Sequence, residues 1–185
     1  METRKVKNEI LIEISEVFSK VNDEEIEMLV KSISDASRIF IVGRGRSGNV
    51  MKNFGMRLMH LGLETYIVGE TITPSIRNGD LLIIGSGSGN TESLISHANR
   101  AKSLGAKVAL LTINPYSEIS KCADLVLIIP AYSPKIENST SKSVQPMANL
   151  FEQVLGLTSA VVVMSLMEKM NKTSGQMLLN HANLE

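Results

Sequence analysis

Arg38-Ile-Phe-Ile-Val-Gly43-Arg-Gly-Arg-Ser-Gly48 and Leu81-Leu-Ile-Ile-Gly85-Ser-Gly-Ser-Gly-Asn-Thr91 are built alike. Each begins with a short apolar run, turns on glycines and passes into a helical pattern. Apolar runs without polar alternation read as strands buried on both faces, the habit of parallel sheets. Glycine turns at helix starts leave backbone N–H groups aimed outward, and such places receive anions. The second turn adds the hydroxyls of Ser86, Ser88 and Thr91, and the first adds Ser47. Hydroxyls beside glycines predict a phosphate held by neutral donors, and hence a phosphorylated small molecule as ligand.

Outward from these turns, the strand pattern recurs at 65–68, 107–113 and 125–129, joining 38–42 and 81–84. Helical patterns near 47–61, 91–104 and 117–121 separate the strands. Strands alternating with helices predict an α/β fold whose parallel sheet is covered on both faces. Such sheets bind ligands beyond the carboxyl ends of their strands, where both turns lie. Ahead of the sheet, Val6, Ile10, Ile14, Val17, Phe18 and Val21 predict an amphipathic helix over about 5–20. Asn22 followed by Glu25 marks the start of a second helix, with Ile26, Leu29, Val30 and Ile33 on its apolar face. Behind the sheet, 131–145 is polar and aperiodic and predicts a long loop over the crevice. A flexible linker is the bland alternative, and no second domain of useful size follows it. Pro146 fits the first turn of a long helix over roughly 146–170, and a short helix over about 174–181 follows.

The 185 residues suffice for one domain with a real core. Lys+Arg and Asp+Glu are both 19, so no basic surplus points to nucleic acid. An anion site must then come from local geometry. Cys122 is the sole cysteine, which excludes an intrachain disulfide. The N-terminal stretch lacks the apolar core of a signal peptide. The most apolar stretch, Val154 to Met167, is 14 residues, short of the roughly 20 a membrane span needs. It reads as a core or subunit-interface helix. The expected compartment is the cytoplasm, with neither membrane nor nucleic acid as partner.

Gly43-x-Gly45-x-x-Gly48 also matches the dinucleotide-binding pattern, with Glu70 placed as a ribose-binding acid. That reading needs a substrate domain or a hydride-transfer site, for which little chain remains. One sugar phosphate accounts for both turns. A bare connection that binds nothing explains one such turn more easily than two. Some of the hydroxyls are plain helix caps, and a cap and a phosphate ligand occupy the same position. A lone helical Glu is usually a surface residue, but Glu152 lies in the stripe Ala148, Glu152, Gly156, Ala160. Gly156 inside a helix costs about 1 kcal/mol relative to Ala, which predicts a close approach there. A carboxylate in a packed place has its pKa raised toward that of a useful base. His60, His97 and His181 show no metal-ligand spacing, and Cys122 has no local partner, so no metal is expected. Spacing makes His60 and His97 packing or surface residues and His181 part of a tail.

Ile41-Val-Gly-Arg-Gly-Arg-Ser-Gly48, Met56-Arg-Leu-Met-His-Leu-Gly62, Ile84-Gly-Ser-Gly-Ser-Gly-Asn-Thr91, Leu111-Thr-Ile-Asn-Pro115, Gln145-Pro-Met-Ala-Asn-Leu-Phe-Glu-Gln153 and His181-Ala-Asn-Leu-Glu185 resemble the 6-phospho-3-hexuloisomerase branch of the sugar isomerase (SIS) domain family. The resemblance covers nearly the whole chain. It implies a single SIS domain: a three-layer α-β-α sandwich around a five-stranded parallel sheet. It implies a homotetramer that converts D-arabino-hex-3-ulose 6-phosphate to fructose 6-phosphate in the ribulose monophosphate pathway, without cofactor. Ser47, Ser86, Ser88 and Thr91 would hold the phosphate, together with Gly45 and Arg46 of the first turn. Glu152 would be the base. His181 would be the histidine that related sugar isomerases bring from near the chain end, often from a neighbouring subunit. Many SIS enzymes read Ser-Gly-Glu-Thr at the second turn, whereas this chain has Asn90, which turns the search for a base to Glu152. Moving the carbonyl from C3 to C2 passes through an enediol, with Arg46 and His181 as candidates for polarising the carbonyl oxygen. A non-catalytic SIS module that senses a sugar phosphate is the rival from another class. An aldose–ketose isomerase for another phosphosugar is the second rival.

Overall fold

In the computed structural model, which describes residues 2–134, 136 and 142–184, the apolar runs form one all-parallel sheet. Its strands are β1 (Ile39–Gly43), β2 (Thr65–Ile67), β3 (Leu81–Gly85), β4 (Lys107–Thr112) and β5 (Leu125–Ile128), in the order β2-β1-β3-β4-β5. The helices are α1 (Thr3–Phe18), α2 (Asp23–Asp35), α3 (Gly45–His60), α4 (Glu92–Ser103), α5 (Asn149–Lys169) and α6 (Ser174–Leu178). Alternate strand residues feed two cores. Ile39, Ile41, Ile83 and Leu111 pack with α2, α3 and α5 on one face. Phe40, Val42, Ile84 and Leu110 pack with α4 on the other. The three-layer α/β sandwich expected from the sequence is the fold observed.

Two side-chain locks hold the sheet, one at the amino ends of β1 and β3 and one at the last residue of β5. Arg38 grips Asp80 with Nε to Oδ1 at 3.0 Å and Nη2 to Oδ2 at 2.6 Å, joining the amino ends of β1 and β3. Asp80 Oδ2 also accepts the Arg77 N–H at 2.8 Å. The pair is nearly dry, and removing one partner of such a pair costs about 3–5 kcal/mol. At the edge strand β5, Glu25 of α2 accepts the Ile128 N–H at 2.7 Å. The helix start at Asn22 is as expected, with its side chain accepting the Glu24 N–H. Glu25, however, serves the sheet edge instead of closing a capping box.

Three expectations need correction. Residues 117–121 form successive turns and no α-helix. There, N–H groups are tied to side chains and, at Ile119, to the Gly89 carbonyl at 3.2 Å. Asn114 Oδ1 takes the N–H of Tyr116 at 3.0 Å and Asn90 Oδ1 takes that of Glu118 at 2.8 Å. The long helix begins at Asn149, not at Pro146. Pro146–Ala148 is a 3₁₀ turn in which Met147 (φ 56°) and Ala148 (φ 62°) take left-handed backbone. Glu152 therefore stands in the first turn of α5. Finally, a side chain added at Gly156 would meet only Val50 Cγ1, at an ordinary 3.8 Å, so the chain itself makes no close approach there. The stretch Pro146–Lys169 is long and apolar enough to cross a membrane by length and composition. Leu150, Phe151, Val154, Leu155, Val162 and Leu166 bury in the core of the sandwich, which makes it a core helix.

Candidate active site

The strand order puts β1 and β3 side by side, and their chains then leave toward opposite faces of the sheet. Such a switch point opens a crevice at the carboxyl ends. Gly43 pairs with Gly85 in register, so both glycine turns start at the same height. Between them lies a cleft of about 240 Å³. Arg44, Arg46 and Ser47 line one wall, and Ser86, Ser88 and Thr91 another. The start of α5, with Met147, Ala148, Phe151 and Glu152, forms the third, and Ser133 and Pro134 complete the rim.

Glycine is required at two places here. A Cβ on Gly43 would lie 2.9 Å from Gly48 Cα and 3.1 Å from the Gly85 carbonyl oxygen. The first and third glycines of the turn thus let α3 start hard against the sheet. Gly89 has φ +64°, and a Cβ there would fall 2.1 Å from Ser117 Oγ. Ser117 is buried and bonded to Ser120 at 2.7 Å, so it cannot yield freely.

The serines of the second turn are braced through their oxygens. Ser86 Oγ accepts the Gly89 N–H at 3.2 Å, and Ser88 Oγ accepts the Asn90 N–H at 3.3 Å. Accepting through oxygen leaves each hydroxyl proton to be donated to a ligand. Thr91 is the N-cap residue of α4 but makes no side-chain capping bond. It lines the cleft at a helix N-terminus, where anions are favoured. Asn90 is not in the lining, and its amide oxygen is spent on Glu118.

Glu152 is mostly shielded, its side chain 12% exposed, and Arg46 Nε donates to its Oε1 at 3.0 Å. Arg46 also donates from Nη2 to the Met147 carbonyl. Burial pushes the Glu152 carboxyl above its ordinary value, and the charge and hydrogen bond of Arg46 pull against that without cancelling it. A carboxylate so placed is a stronger base than one in water. Removing the cation removes what favours the ionised form. Arg46→Gln should therefore move the acid limb of kcat/KM to higher pH. An unmoved limb would mean that Arg46 does not act on this carboxylate.

Of the residues expected from sequence, Arg46, Ser47, Ser86, Ser88, Thr91 and Glu152 come together around one cleft. Gly45 does not line it, but with φ +56° it sets the turn between two lining arginines. His181 is elsewhere: its ring stacks on His60 at 5.3 Å, at the far end of α3. Fifteen helical rises of 1.5 Å put that end about 22 Å from the cleft. Arg44 was missed by the sequence reading. It alternates with Arg46 about Gly45, and that spacing was the available signal. Arg44 Nε donates to Ser93 Oγ at 3.1 Å, and Nη2 lies 3.4 Å from His97 Nε2. Burial, then the charge of Arg44, hold His97 below its ordinary pKa. To the expected hydroxyls and Arg46 the cleft thus adds a second guanidinium group. Glu70 is paired with Lys52 at 3.3 Å and lines a separate cleft on the other side of the first turn.

The SIS domain family matches residues 32–163. Among curated proteins, the 3-hexulose-6-phosphate isomerase of Bacillus subtilis is 47% identical over 185 residues, covering all of both chains. The enzyme of that name from Mycobacterium gastri is 40% identical, over 94% of this chain and 86% of its own. Among solved structures, a hypothetical protein of Methanococcus jannaschii, inferred to be a 3-hexulose-6-phosphate isomerase, superposes with a TM-score of 0.85. It is 32% identical and covers 98% of this chain and 99% of its own. A serine-lined cleft at the β1/β3 switch point, a matching domain family and relatives alike from end to end agree: the chain belongs to the SIS domain family, beside its 3-hexulose-6-phosphate isomerase relatives.

Proposed function

We propose that this chain is an isomerase that interconverts D-arabino-hex-3-ulose 6-phosphate and fructose 6-phosphate, with Glu152 as the base. The observation that carries the reading is the shielded Glu152 carboxylate, 3.0 Å from Arg46 and across one small cleft from the serine turn. The serine turn, Thr91 and the helix N-terminus receive the phosphate, and the sugar extends toward α5. Glu152 takes the proton from C2 while O3 gains one, giving the 2,3-enediol. The enediol then loses the O2 proton and receives the Glu152 proton at C3, leaving the carbonyl at C2. No bond changes other than these, and no electron acceptor is needed. Arg46 stabilises the negative charge that develops on the oxygens. A 3-ketose could close a five-membered ring only through O6, which carries the phosphate. The forward substrate is therefore open-chain and needs no ring-opening acid.

The same reading makes the protein a homo-oligomer, and a homotetramer by family resemblance. Met56 and Met59 of α3, Leu157 and Met164 of α5 and Leu178 of α6 are exposed, which supports contact between copies. The distance from His181 to the cleft of its own chain supports delivery of this residue to the cleft of a second copy. There it would donate to and accept from the substrate oxygens. Deleting residues 181–185 should lower kcat at least about tenfold in a correctly assembled oligomer. Full activity in that truncation would return His181 to the tail. The test of the whole reading is incubation with fructose 6-phosphate in deuterated water. Exchange at C3, with formation of the 3-ketose, is expected. Exchange at C1 would point to an aldose–ketose isomerase, and binding without exchange to a sensing module.

A further inference from the structure

Glu13 lies on α1, about 130 residues before the segment that enters α5, yet it holds that segment directly. Its Oε1 accepts the Val144 N–H at 2.7 Å. Its Oε2 accepts the Ser143 hydroxyl at 2.8 Å and the Gln145 side-chain amide at 3.2 Å. Gln145 Oε1 in turn accepts from the Asn149 side chain at 2.8 Å, which bridges the turn to the first residue of α5. Between these two anchors lie Met147 and Ala148, both in left-handed backbone that is unfavourable for non-glycine residues. Such conformations persist where their surroundings fix them. The consequence of this one is the position of the Met147 carbonyl, which accepts Arg46 Nη2 while Arg46 Nε holds Glu152.

We propose that Glu13 is a positioning residue for the reaction. By clamping Ser143–Gln145 it fixes the left-handed turn whose carbonyl holds Arg46 against Glu152. A carboxylate is needed because its two oxygens meet three donors from consecutive residues. The phosphate-gripping hydroxyls of the second turn lie on another wall of the cleft and make no contact with it. Glu13 touches neither substrate nor reacting atoms in this arrangement. Its influence runs through backbone placement and ends on the geometry of the base.

The inference rests on the proposed isomerase reading, and its test separates the two. Glu13→Ala and Glu13→Gln are compared with the unaltered protein in three measurements. Turnover of the 3-ketose phosphate should show kcat down about tenfold in Glu13→Ala with KM within about twofold. Glu13→Gln, which keeps an acceptor for Val144 but sets its amide against that of Gln145, should fall between. Limited trypsin digestion, read by mass, should cut after the exposed Lys142 several-fold faster in Glu13→Ala. Titration of the Glu152 carboxyl by carbon NMR should move upward in Glu13→Ala, because Arg46 is no longer held on it. Among the described residues, the charged groups lining the cleft are Arg44, Arg46 and Glu152, so release of Arg46 dominates that shift. An unaltered protein that fails to turn over the 3-ketose phosphate sinks the isomerase reading, and the digestion and titration then decide the inference alone. Unchanged cleavage, an unmoved carboxyl, or a kcat within twofold despite faster cleavage would each overturn it.

Discussion

Glu152→Gln is expected to lower kcat by about a hundredfold to ten-thousandfold, the range lost with a general base. Glutamine has the same shape and can still accept from Arg46 through its amide oxygen, so the cleft should keep its form. It cannot take a proton from C2. Substrate affinity, measured by calorimetry, should stay within a few-fold, since the proposed phosphate site lies on another wall. Deuterium exchange at C3 of fructose 6-phosphate should vanish with turnover, because exchange and isomerisation share the same proton transfer. Folding should be little affected: Arg46 is half exposed, and such an ion pair contributes about 1 kcal/mol or less. Near-normal kcat in this variant would remove Glu152 from the role of base.

The combined substitution Ser86→Ala, Ser88→Ala should act on the other parameter. A hydrogen bond to a charged group contributes about 1.5–3 kcal/mol, so two lost hydroxyls should raise KM on the order of a hundredfold or more. Turnover at saturating substrate should fall much less, because neither serine touches C2 or C3. Each substitution also removes an acceptor from the turn, of Gly89 N–H in one case and Asn90 N–H in the other. A moderate drop in thermal stability is therefore expected with the rise in KM. A destabilised variant with unchanged KM would assign both hydroxyls to the turn alone.

Much of this was legible in the sequence because the strands are apolar without interruption. All five appear where the runs placed them, within a residue or two at each end. The central strands β1 and β3 are buried almost throughout, as uninterrupted apolar runs require. The two glycine turns were legible for the same reason, since each follows such a strand. What escaped the reading depends on side chains meeting over long sequence distances. The turns at 115–122 are tied to the second glycine turn by Asn90, 28 residues before Glu118, and by the Gly89 carbonyl. The late start of α5 depends on a carboxylate on α1. Propensity at Pro146 pointed to a helix start, and tertiary contacts overrode it. Arg44 escaped because an arginine at the end of a strand has many ordinary fates, and only the fold shows that its extended backbone directs it into the cleft.

The family match over 32–163 has a consequence for how such a catalyst can change. The phosphate grip and Glu152 sit inside that segment. Glu13 lies before it and His181 after it. On the proposed reading the shared module carries the phosphate site and the base, while Glu13 positions the turn into α5 and His181 serves a second copy. On that reading, substitutions at Glu13 or His181 would change turnover and leave the proposed phosphate site intact. Capture of the substrate and adjustment of the base would then be separable by substitution within one chain.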